Sequence, residues 1–340
     1  AQPLVGRSFF LYNDGTNLLR GHTLMKYLGI DLGGINVAAA VVEEDGTIQG
    51  RGRVATPRSG AEAVAAAMSE AVRLAVENTG CTMADIASVG IGAPGVIDPR
   101  EGVVEYWSNL DFHHVPLVSM LEQRLGKSVC IENDANAAAL GEYAAGAGKG
   151  STSMIAITLG TGVGGGAVLD GKLYTGFNYA GLEVGHFVVE YNGRLCTCGR
   201  RGCFETYASA TALIKRTKEL MLINRESLIW QVVDGEIDRV EGRTPFEAAA
   251  RGDLLAKELV EEYQSYLACG ITSLINIFQP EVFCVGGGVA GAGETLLGPV
   301  RAIVDREDYA RDSARRTILT LAQLGNDAGI IGAALLPLFR

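Results

Sequence analysis

The segments YLGIDLGGINVAAAVVEEDG (residues 27–46) and SMIAITLGTGVGGGAVLDG (residues 153–171) have the same order of features. Each predicts an apolar strand, a Leu-Gly turn, a second strand and an Asp-Gly turn, because short apolar runs bounded by glycine are typical of hairpins. The spacings differ by two residues, so the likeness is a structural echo and not a tight repeat. We interpret it as a duplicated phosphate-binding hairpin, and two unrelated β-meanders are the alternative.

Around these segments, predicted strands alternate with predicted helices. Further strands are expected at residues 47–54, 88–91, 128–131 and 281–285. Helical periodicity is expected over residues 61–78, 117–125, 135–145, 208–220, 245–278 and 328–338. This alternation predicts an α/β fold, and the length of 340 residues favours two lobes. We expect a small lobe over residues 25–133, completed by a C-terminal helix at 326–340, and a large lobe over 134–325.

Composition and charge exclude several classes of function. The net charge of −10 and the lack of a basic patch argue against nucleic-acid and anionic-membrane partners. There is no apolar run of membrane-spanning length. The seven cysteines are an odd number without a secretory signal, which favours reduced thiols and a cytoplasmic location. Residues 1–24 precede a strong strand signal at Met25, and we interpret them as an N-terminal extension or a cloning remnant.

Three glycine turns that follow predicted strands are candidate nucleotide contacts. Glycine lets the backbone approach a ligand closely and turn its N–H groups toward phosphate oxygens. The candidate residues are Asp31, Gly33 and Gly34, then Gly160, Thr161 and Gly162, and then Gly286, Gly287 and Gly288. Asp31 is also a candidate ligand for a hydrated Mg²⁺.

The second turn formally matches the dinucleotide fingerprint GxGxxG over residues 160–165. That fingerprint requires a helix after the glycines, whereas these glycines lead into a predicted strand. We therefore reject a dinucleotide-binding fold. A P-loop is excluded as well, because the chain has no GxxxxGK[ST].

Asp134 lies between a predicted strand and an Ala-rich helix, in the segment Glu132-Asn133-Asp134-Ala135-Asn136. A lone Asp at this place is most often a helix N-cap. A carboxylate at a strand end beside a cleft is also suited to act as general base in phosphorylating a sugar hydroxyl. The two roles are compatible, and we predict both.

The sharpest local motif is H-x₉-C-x-C-x₄-C, formed by His186, Cys196, Cys198 and Cys203. Three thiolates and one imidazole match a closed, tetrahedral and therefore structural zinc site. Glu183 and Glu205 flank the motif, and a metal between them would aim both carboxylates into one pocket as acceptors for sugar hydroxyls. A DNA-binding zinc finger is opposed by the acidic chain and by the lack of a recognition-helix arrangement.

Together these motifs resemble the ROK family of sugar kinases and repressors, and they are most similar to its bacterial glucokinases. The resemblance runs in order from Met25 to the C-terminus. It rests on Asp31-Leu32-Gly33-Gly34, Glu132-Asn133-Asp134-Ala135-Asn136, Leu159-Gly160-Thr161-Gly162, Glu183-Val184-Gly185-His186, the segment from Cys196 to Glu205, and Gly286-Gly287-Gly288.

The resemblance implies an actin-like ATPase (ribonuclease H-like) fold, with two lobes around a central ATP and sugar cleft. It implies that Asp134 deprotonates the 6-hydroxyl of glucose, with ATP, Mg²⁺ and a structural Zn²⁺ as cofactors. It also implies a homodimer or a tetramer. The implied sugar contacts are Asn109, Asn133, Asp134, Glu183, His186 and Glu205, with Gly92 and Gly95 shaping the pocket.

One residue departs from the family pattern. Family members usually have Thr or Ser after the double glycine of the first turn, whereas this chain has Ile35, so we expect weaker ATP binding. Other sugars, namely N-acetylmannosamine, N-acetylglucosamine, allose and fructose, stay open, as does a non-catalytic sugar sensor. A repressor would need a helix-turn-helix domain before the first turn, and the sequence ahead of Met25 predicts no helix pair.

Overall fold

The computed structural model describes residues 25–339, so the predicted extension at residues 1–24 lies outside them. The strands are β1 (Lys26–Leu32), β2 (Asn36–Glu43), β3 (Ile48–Ala55), β4 (Ile86–Ala93), β5 (Val96–Asp98), β6 (Val103–Trp107), β7 (Phe112–Val115), β8 (Val129–Asn133), β9 (Met154–Leu159), β10 (Val163–Leu169), β11 (Lys172–Tyr174), β12 (Val282–Gly286) and β13 (Ile318–Leu321). The helices are α1 (Ala61–Glu77), α2 (Leu117–Leu125), α3 (Asp134–Ala145), α4 (Glu205–Ala208), α5 (Ala210–Ile223), α6 (Ile229–Val232), α7 (Thr244–Ala250), α8 (Leu254–Phe278), α9 (Glu294–Glu307) and α10 (Ala328–Leu335).

Two five-stranded sheets share one strand order. The first is β3-β2-β1-β4-β8 and the second is β11-β10-β9-β12-β13. In each sheet an antiparallel three-stranded meander continues into two parallel strands. The echo predicted between residues 27–46 and 153–171 is therefore confirmed as a shared topology, and so is the α/β class.

Helices cover both faces of each sheet, as the buried parallel strands require. Helices α1 and α2 pack on one face of the first sheet, and α10 packs on its other face. Helices α8 and α9 pack on one face of the second sheet, and α3 packs on its other face. Helices α3 and α10 consequently lie between the sheets. Within residues 25–339, no helix combines the length and apolarity needed to cross a bilayer.

Some predicted boundaries were wrong for identifiable reasons. The helical pattern over residues 245–278 is two helices, because Gly252 has φ +96° and the Asp253 carboxylate caps α8 by accepting from the Ala256 N–H at 2.7 Å. The pattern over 208–220 is likewise divided at Ser209, whose hydroxyl accepts from the Ala212 N–H. The three-stranded sheet β5-β6-β7 was not predicted, because its strands are short.

The backbones of α3 and α10 touch where the helices cross. A Cβ on Gly332 of α10 would overlap the carbonyl oxygen of Ala137, and one on Gly141 of α3 would overlap that of Ala328. Next to the crossing, the buried carboxylate of Glu142 accepts from the N–H groups of the segment before α10, at 2.7 Å and 3.1 Å. Small residues and one buried carboxylate thus hold α3 against the segment that begins α10.

We predict that Gly332→Ala destabilises the protein. Alanine favours a helix by about 1 kcal/mol over glycine. Separating two packed backbones costs more than that, because overpacking a dense interior typically costs about 1–3 kcal/mol. The midpoint of urea unfolding should therefore fall. The matched control is Gly291→Ala, where a Cβ meets open space; equal midpoints for the two variants would contradict the close crossing.

Candidate active site

A cavity of about 520 Å³ lies where both sheets and both central helices meet. It brings together residues that are far apart in the chain. Among the predicted site residues it is lined by Asp31, Asp134, Gly160, Thr161, Gly162, Glu183, His186, Glu205, Gly286 and Gly287. Asp31, the second and third candidate nucleotide turns, the candidate base and the carboxylates beside the Cys/His motif therefore share one space.

The first glycine turn is braced by the residue that follows β3. The Gly33 N–H donates to the Asn36 carbonyl at 3.0 Å, and the Thr56 hydroxyl donates to the Gly33 carbonyl at 2.7 Å. Gly33 and Gly34 line a second cavity of about 530 Å³, which also includes Asp31. Ile35 lies in this cavity with 78% of its surface exposed, so an apolar side chain stands where a ligand would approach.

Asp31 and Asp134 influence each other across the cavity. Burial, and secondly the negative charge of Asp134, raise the pKa of Asp31 to about 6. Burial also raises the pKa of Asp134, although hydrogen bonds from the Ala135 N–H and from Asn133 act in the opposite direction. Among the ion pairs found within residues 25–339, neither carboxylate has a cationic partner, so the pair is suited to receive a cation.

The N-cap of α3 is Asn133 and not Asp134, which corrects the prediction. The Asn133 side chain accepts from the N–H groups of Ala135 at 2.9 Å and Asn136 at 3.3 Å, and it donates to the Gly95 carbonyl at 3.3 Å. Asp134 is the first helical residue. Asn133 has the extended backbone that is usual for an N-cap residue, and it lies immediately before the helix. The Asp134 carboxylate does not cap the helix and lies beside the cavity.

The second glycine turn packs against Glu205. The Gly160 N–H donates to the Gly162 carbonyl at 3.0 Å, which closes the turn. A Cβ on Gly162 would lie 2.6 Å from Glu205 Oε2, so glycine is needed for this approach. The Gly160 carbonyl also accepts from the Ala210 N–H, which ties the turn to the start of α5.

His186, Cys196, Cys198 and Cys203 form a compact cluster. One ligand atom from each lies within 4.8 Å of all the others. The Sγ atoms of Cys198 and Cys203 are 3.6 Å apart, and Cys196 Sγ lies 3.6 Å from His186 Nδ1. Zinc–sulfur bonds of about 2.3 Å in a tetrahedron place two sulfurs roughly 3.7 Å apart, so the four residues fit a closed zinc site.

The cluster connects directly to the cavity. Glu205 Oε1 lies 3.1 Å from Cys196 Sγ and 3.8 Å from His186 Nδ1. Glu183 immediately precedes the short turn Val184–His186, and the His186 N–H donates to its carbonyl at 3.0 Å. Holding the four ligands together therefore fixes the backbone on which Glu183 and Glu205 enter the cavity.

Apart from the three cysteines of the cluster, three predicted site residues line neither the cavity of about 520 Å³ nor the others found within the described residues. Gly92 is buried, and a Cβ there would press on Ala137 of α3 at 3.3 Å, so its role is close packing. Asn109 is exposed between β6 and β7, with its Nδ2 facing Gly34. Gly288 begins a short turn in open space.

Two other predicted sugar contacts, Gly95 and Asn133, lie in a separate place beside Asp134. They line a smaller cavity of about 170 Å³, to which Asp134 and Glu183 also contribute. Asp134 and Glu183 also line the cavity of about 520 Å³, so the two cavities adjoin at the candidate base.

The segment before α10 also contributes to this cavity, which was not predicted from the sequence. Gly325, Asn326 and Gly329 line the cavity of about 520 Å³. A Cβ on Gly329 would lie 3.7 Å from the carboxyl carbon of Asp31. The available signal was the run Gly325-Asn326-Asp327-Ala328-Gly329 ahead of an apolar helix. Thr56 was missed too, since only the fold brings it to the first glycine turn.

The chain matches a known protein family over nearly all of its described residues. A family model described as "ROK family" matches residues 27–338. The chain belongs to the ROK family. Its membership confirms the predicted actin-like ATPase fold, in which two lobes enclose a cleft.

Individual ROK relatives cover nearly the whole chain. A glucokinase from Thermotoga maritima is 40% identical over 91% of this chain and 96% of its own length. A crystal structure of a ROK family glucokinase from Streptomyces griseus in complex with glucose and AMPPNP is 40% identical, with a TM-score of 0.76, and covers 92% of this chain and 98% of that one. A ROK hexokinase structure from Thermus thermophilus is 35% identical, with a TM-score of 0.78, over 92% and 97% of the two chains.

We predict that Asp31 titrates near pH 6 and that Asp134→Asn lowers its pKa. The substitution removes the nearby negative charge, so ionisation of Asp31 becomes easier. The pKa should stay above the ordinary value for Asp, because burial is the larger cause. Carbon-13 NMR titration of the side-chain carboxyl groups measures both values. An unchanged or higher pKa in the variant would show that the two groups are not neighbours.

Proposed function

We propose that the protein transfers the γ-phosphoryl group of ATP to the 6-hydroxyl of glucose. The observation that carries this proposal is the convergence of two glycine turns, the Asp31–Asp134 pair and two carboxylates beside the Cys/His cluster on one cavity. The ROK glucokinase complex with glucose and AMPPNP supports both substrates. The chain is an ATP-dependent sugar kinase.

Asp134 is the general base in this proposal. Its carboxylate is held at the first turn of α3, and the N–H of Ala135 donates to its Oδ1 at 2.9 Å. Burial raises its pKa, which makes the ionised carboxylate a better proton acceptor near neutral pH. Asp134 takes the proton of the 6-hydroxyl while that oxygen attacks the γ-phosphorus in line, and ADP leaves.

The glycine turns hold the nucleotide in this proposal. Gly33 and Gly34 on one side, and Gly160 to Gly162 on the other, line the proposed phosphate site. The N–H groups of Gly33 and Gly160 close the two turns, so the phosphates are bound by the remaining N–H groups of the turns and by the Thr161 hydroxyl. Gly286 to Gly288 contact the adenosine. Asp31 would hold Mg²⁺, which supplies charge neutralisation at the β- and γ-phosphates. Ile35 has no side-chain donor to offer there, so the first turn relies on its backbone.

Sugar contacts are proposed from both sides of the cleft. Asn109, Asn133 and Asp134, with Gly92 and Gly95 behind them, belong to the proposed small lobe and the start of α3. Glu183, His186 and Glu205 belong to the large lobe, where Zn²⁺ would be held by His186, Cys196, Cys198 and Cys203 and would act structurally. His186 Nδ1 lies beside Cys196, which leaves its other ring nitrogen to face the sugar.

The division into a small lobe (25–133, with 326–340) and a large lobe (134–325) is part of the same proposal. So is a homodimeric assembly.

A ROK kinase for another hexose is the second candidate function. A family relative named N-acetylgalactosamine kinase AgaK, from Shewanella, is 30% identical over 91% of the chain.

The deciding experiment measures ADP release from Mg-ATP with glucose, mannose, fructose, allose, N-acetylglucosamine and N-acetylmannosamine. We expect kcat/KM for glucose to exceed that for each other sugar by at least about tenfold, the scale of one or two discriminating contacts. A higher value for another hexose would transfer the proposal to that sugar. No turnover with any sugar would favour the non-catalytic sensor.

We predict that Asp134→Asn lowers kcat by about 100- to 10,000-fold, the usual contribution of general base catalysis. Glucose affinity, measured by calorimetry, should change little, because the amide keeps the size of the side chain and its oxygen acceptor. The matched control is Asp170→Asn, on the turn between β10 and β11, which should keep parental turnover. Near-parental kcat for Asp134→Asn would remove the base from the proposal.

We predict one bound zinc ion per chain, at the Cys₃His cluster. Cys198→Ser should lower zinc content, the thermal unfolding temperature and glucose affinity together, because the site anchors Glu183 and Glu205. Cys269→Ser, at an exposed cysteine outside the cluster, is the control and should change none of the three. Purified protein that contains no zinc by elemental analysis would contradict the structural site.

A further inference from the structure

A row of three residues crosses the first sheet from Asp31 to an arginine. Asp31 of β1 lies opposite Ala38 of β2, and Ala38 lies opposite Arg53 of β3. Residues directly opposite each other in neighbouring strands have their side chains on the same face of the sheet. Arg53 is therefore on the face of Asp31, with two strand spacings, or about 10 Å, between their backbones. All three residues line the cavity of about 530 Å³, and the small side chain of Ala38 leaves the space between the other two open.

This face of the sheet is the one that α10 covers. A Cβ on Gly329, in the first turn of α10, would lie 3.7 Å from the carboxyl carbon of Asp31. Arg51, two residues before Arg53 and hence on the same face, donates to both carboxylate oxygens of Asp327 at 2.6 Å and 2.8 Å. Arg53 therefore projects toward the side of the sheet on which the segment before α10 lies.

Arg53 is a free cation beside the first glycine turn. It lines the cavity of about 530 Å³ together with Gly33 and Gly34. Arg53 is exposed, and among residues 25–339 it forms no ion pair and no side-chain hydrogen bond. Arg51 lines the same cavity, but its charge is neutralised by Asp327. An unpaired guanidinium next to a glycine turn favours an anionic occupant.

Asn326 reaches the same cavity from the segment before α10. Asn326 and Asp31 line both this cavity and the cavity of about 520 Å³. Asn326 is exposed, and its amide has no hydrogen-bond partner in the part of the chain that the structure describes. Its backbone is held on both sides, because Glu142 accepts from the Leu324 N–H at 2.7 Å and the ion-paired Asp327 follows directly. A free amide is thus held where the two cavities meet.

We propose that Arg53 and Asn326 bind a phosphate group of the nucleotide in the cavity beside the first glycine turn, an inference that rests on the proposed kinase function. Ile35 offers no side-chain donor at this turn, so such donors come from β3 and from the segment before α10. A guanidinium binds phosphate through two charge-assisted hydrogen bonds, and the Asn326 amide adds a neutral one. In the proposed function Asp31 holds Mg²⁺ at the β- and γ-phosphates, and Arg53 binds one of these two groups.

Calorimetric binding of Mg-AMPPNP, an ATP analogue that is not turned over, tests this proposal. We expect Arg53→Gln to raise Kd about 3- to 30-fold, the range for a partly exposed charge-assisted hydrogen bond. The increase of Kd with salt should be less steep in the variant, because one charge contact is lost. Asn326→Ala should raise Kd about 2- to 5-fold, the effect of one neutral hydrogen bond. Kd for adenosine, which has no phosphate, should be parental in both variants.

The matched control is Arg58→Gln, at an exposed arginine that lines none of the cavities found within residues 25–339, and it should keep the parental Kd. A parental Kd for Mg-AMPPNP in Arg53→Gln would overturn the proposal. If Arg53→Gln weakens the binding of inorganic phosphate alone and not of Mg-AMPPNP, the site takes the free ion and the nucleotide assignment is wrong.

The same binding data separate this inference from the proposed function. A parent that binds Mg-AMPPNP but phosphorylates no sugar would remove the proposed function only, and the comparison of Kd values would still decide the role of Arg53. A parent that binds no nucleotide would remove both.

Discussion

The cavity between the two sheets depends on the contact between the backbones of α3 and α10. Because Gly141 and Gly332 carry no side chain, the helices cross closely enough for Asp134, at the start of α3, and Gly329, at the start of α10, to meet beside Asp31. The same approach brings the two sheets together at the ends of β1 and β9, where the glycine turns follow. Any wider crossing would separate Asp134 from the glycine turns that follow β1 and β9.

Two further constraints complete the site. The Cys₃His cluster orders an irregular segment that has few other means of holding Glu183 and Glu205 in place, and Gly162 admits Glu205 against the second turn. On the other side of the cavity, burial and the repulsion between two carboxylates keep the pKa of Asp31 at about 6 until a cation binds. The fold, the Cys₃His cluster and electrostatics thus act on the same few side chains.

The features predictable from the sequence are those whose information is local. The bounds of α2, the two hairpins with their glycine turns and the clustering of the four candidate zinc ligands were correct, because each pattern lies within a short stretch of chain. The Thr56 brace on Gly33 and the Arg51–Asp327 ion pair were not predicted, since each joins segments that only the fold brings together. The φ of +62° at Tyr179 was not predicted either, because nothing in the flanking sequence indicates a positive φ there.

We propose above all that Asp134 takes the proton of the glucose 6-hydroxyl while that oxygen attacks the γ-phosphorus of ATP. Phosphorus-31 NMR of the products formed from glucose and Mg-ATP tests it most directly. The account predicts ADP and a sugar phosphate monoester whose signal is split by the two protons on carbon 6. An ester split by the single anomeric proton, or inorganic phosphate alone, would contradict the assigned acceptor and the role of Asp134.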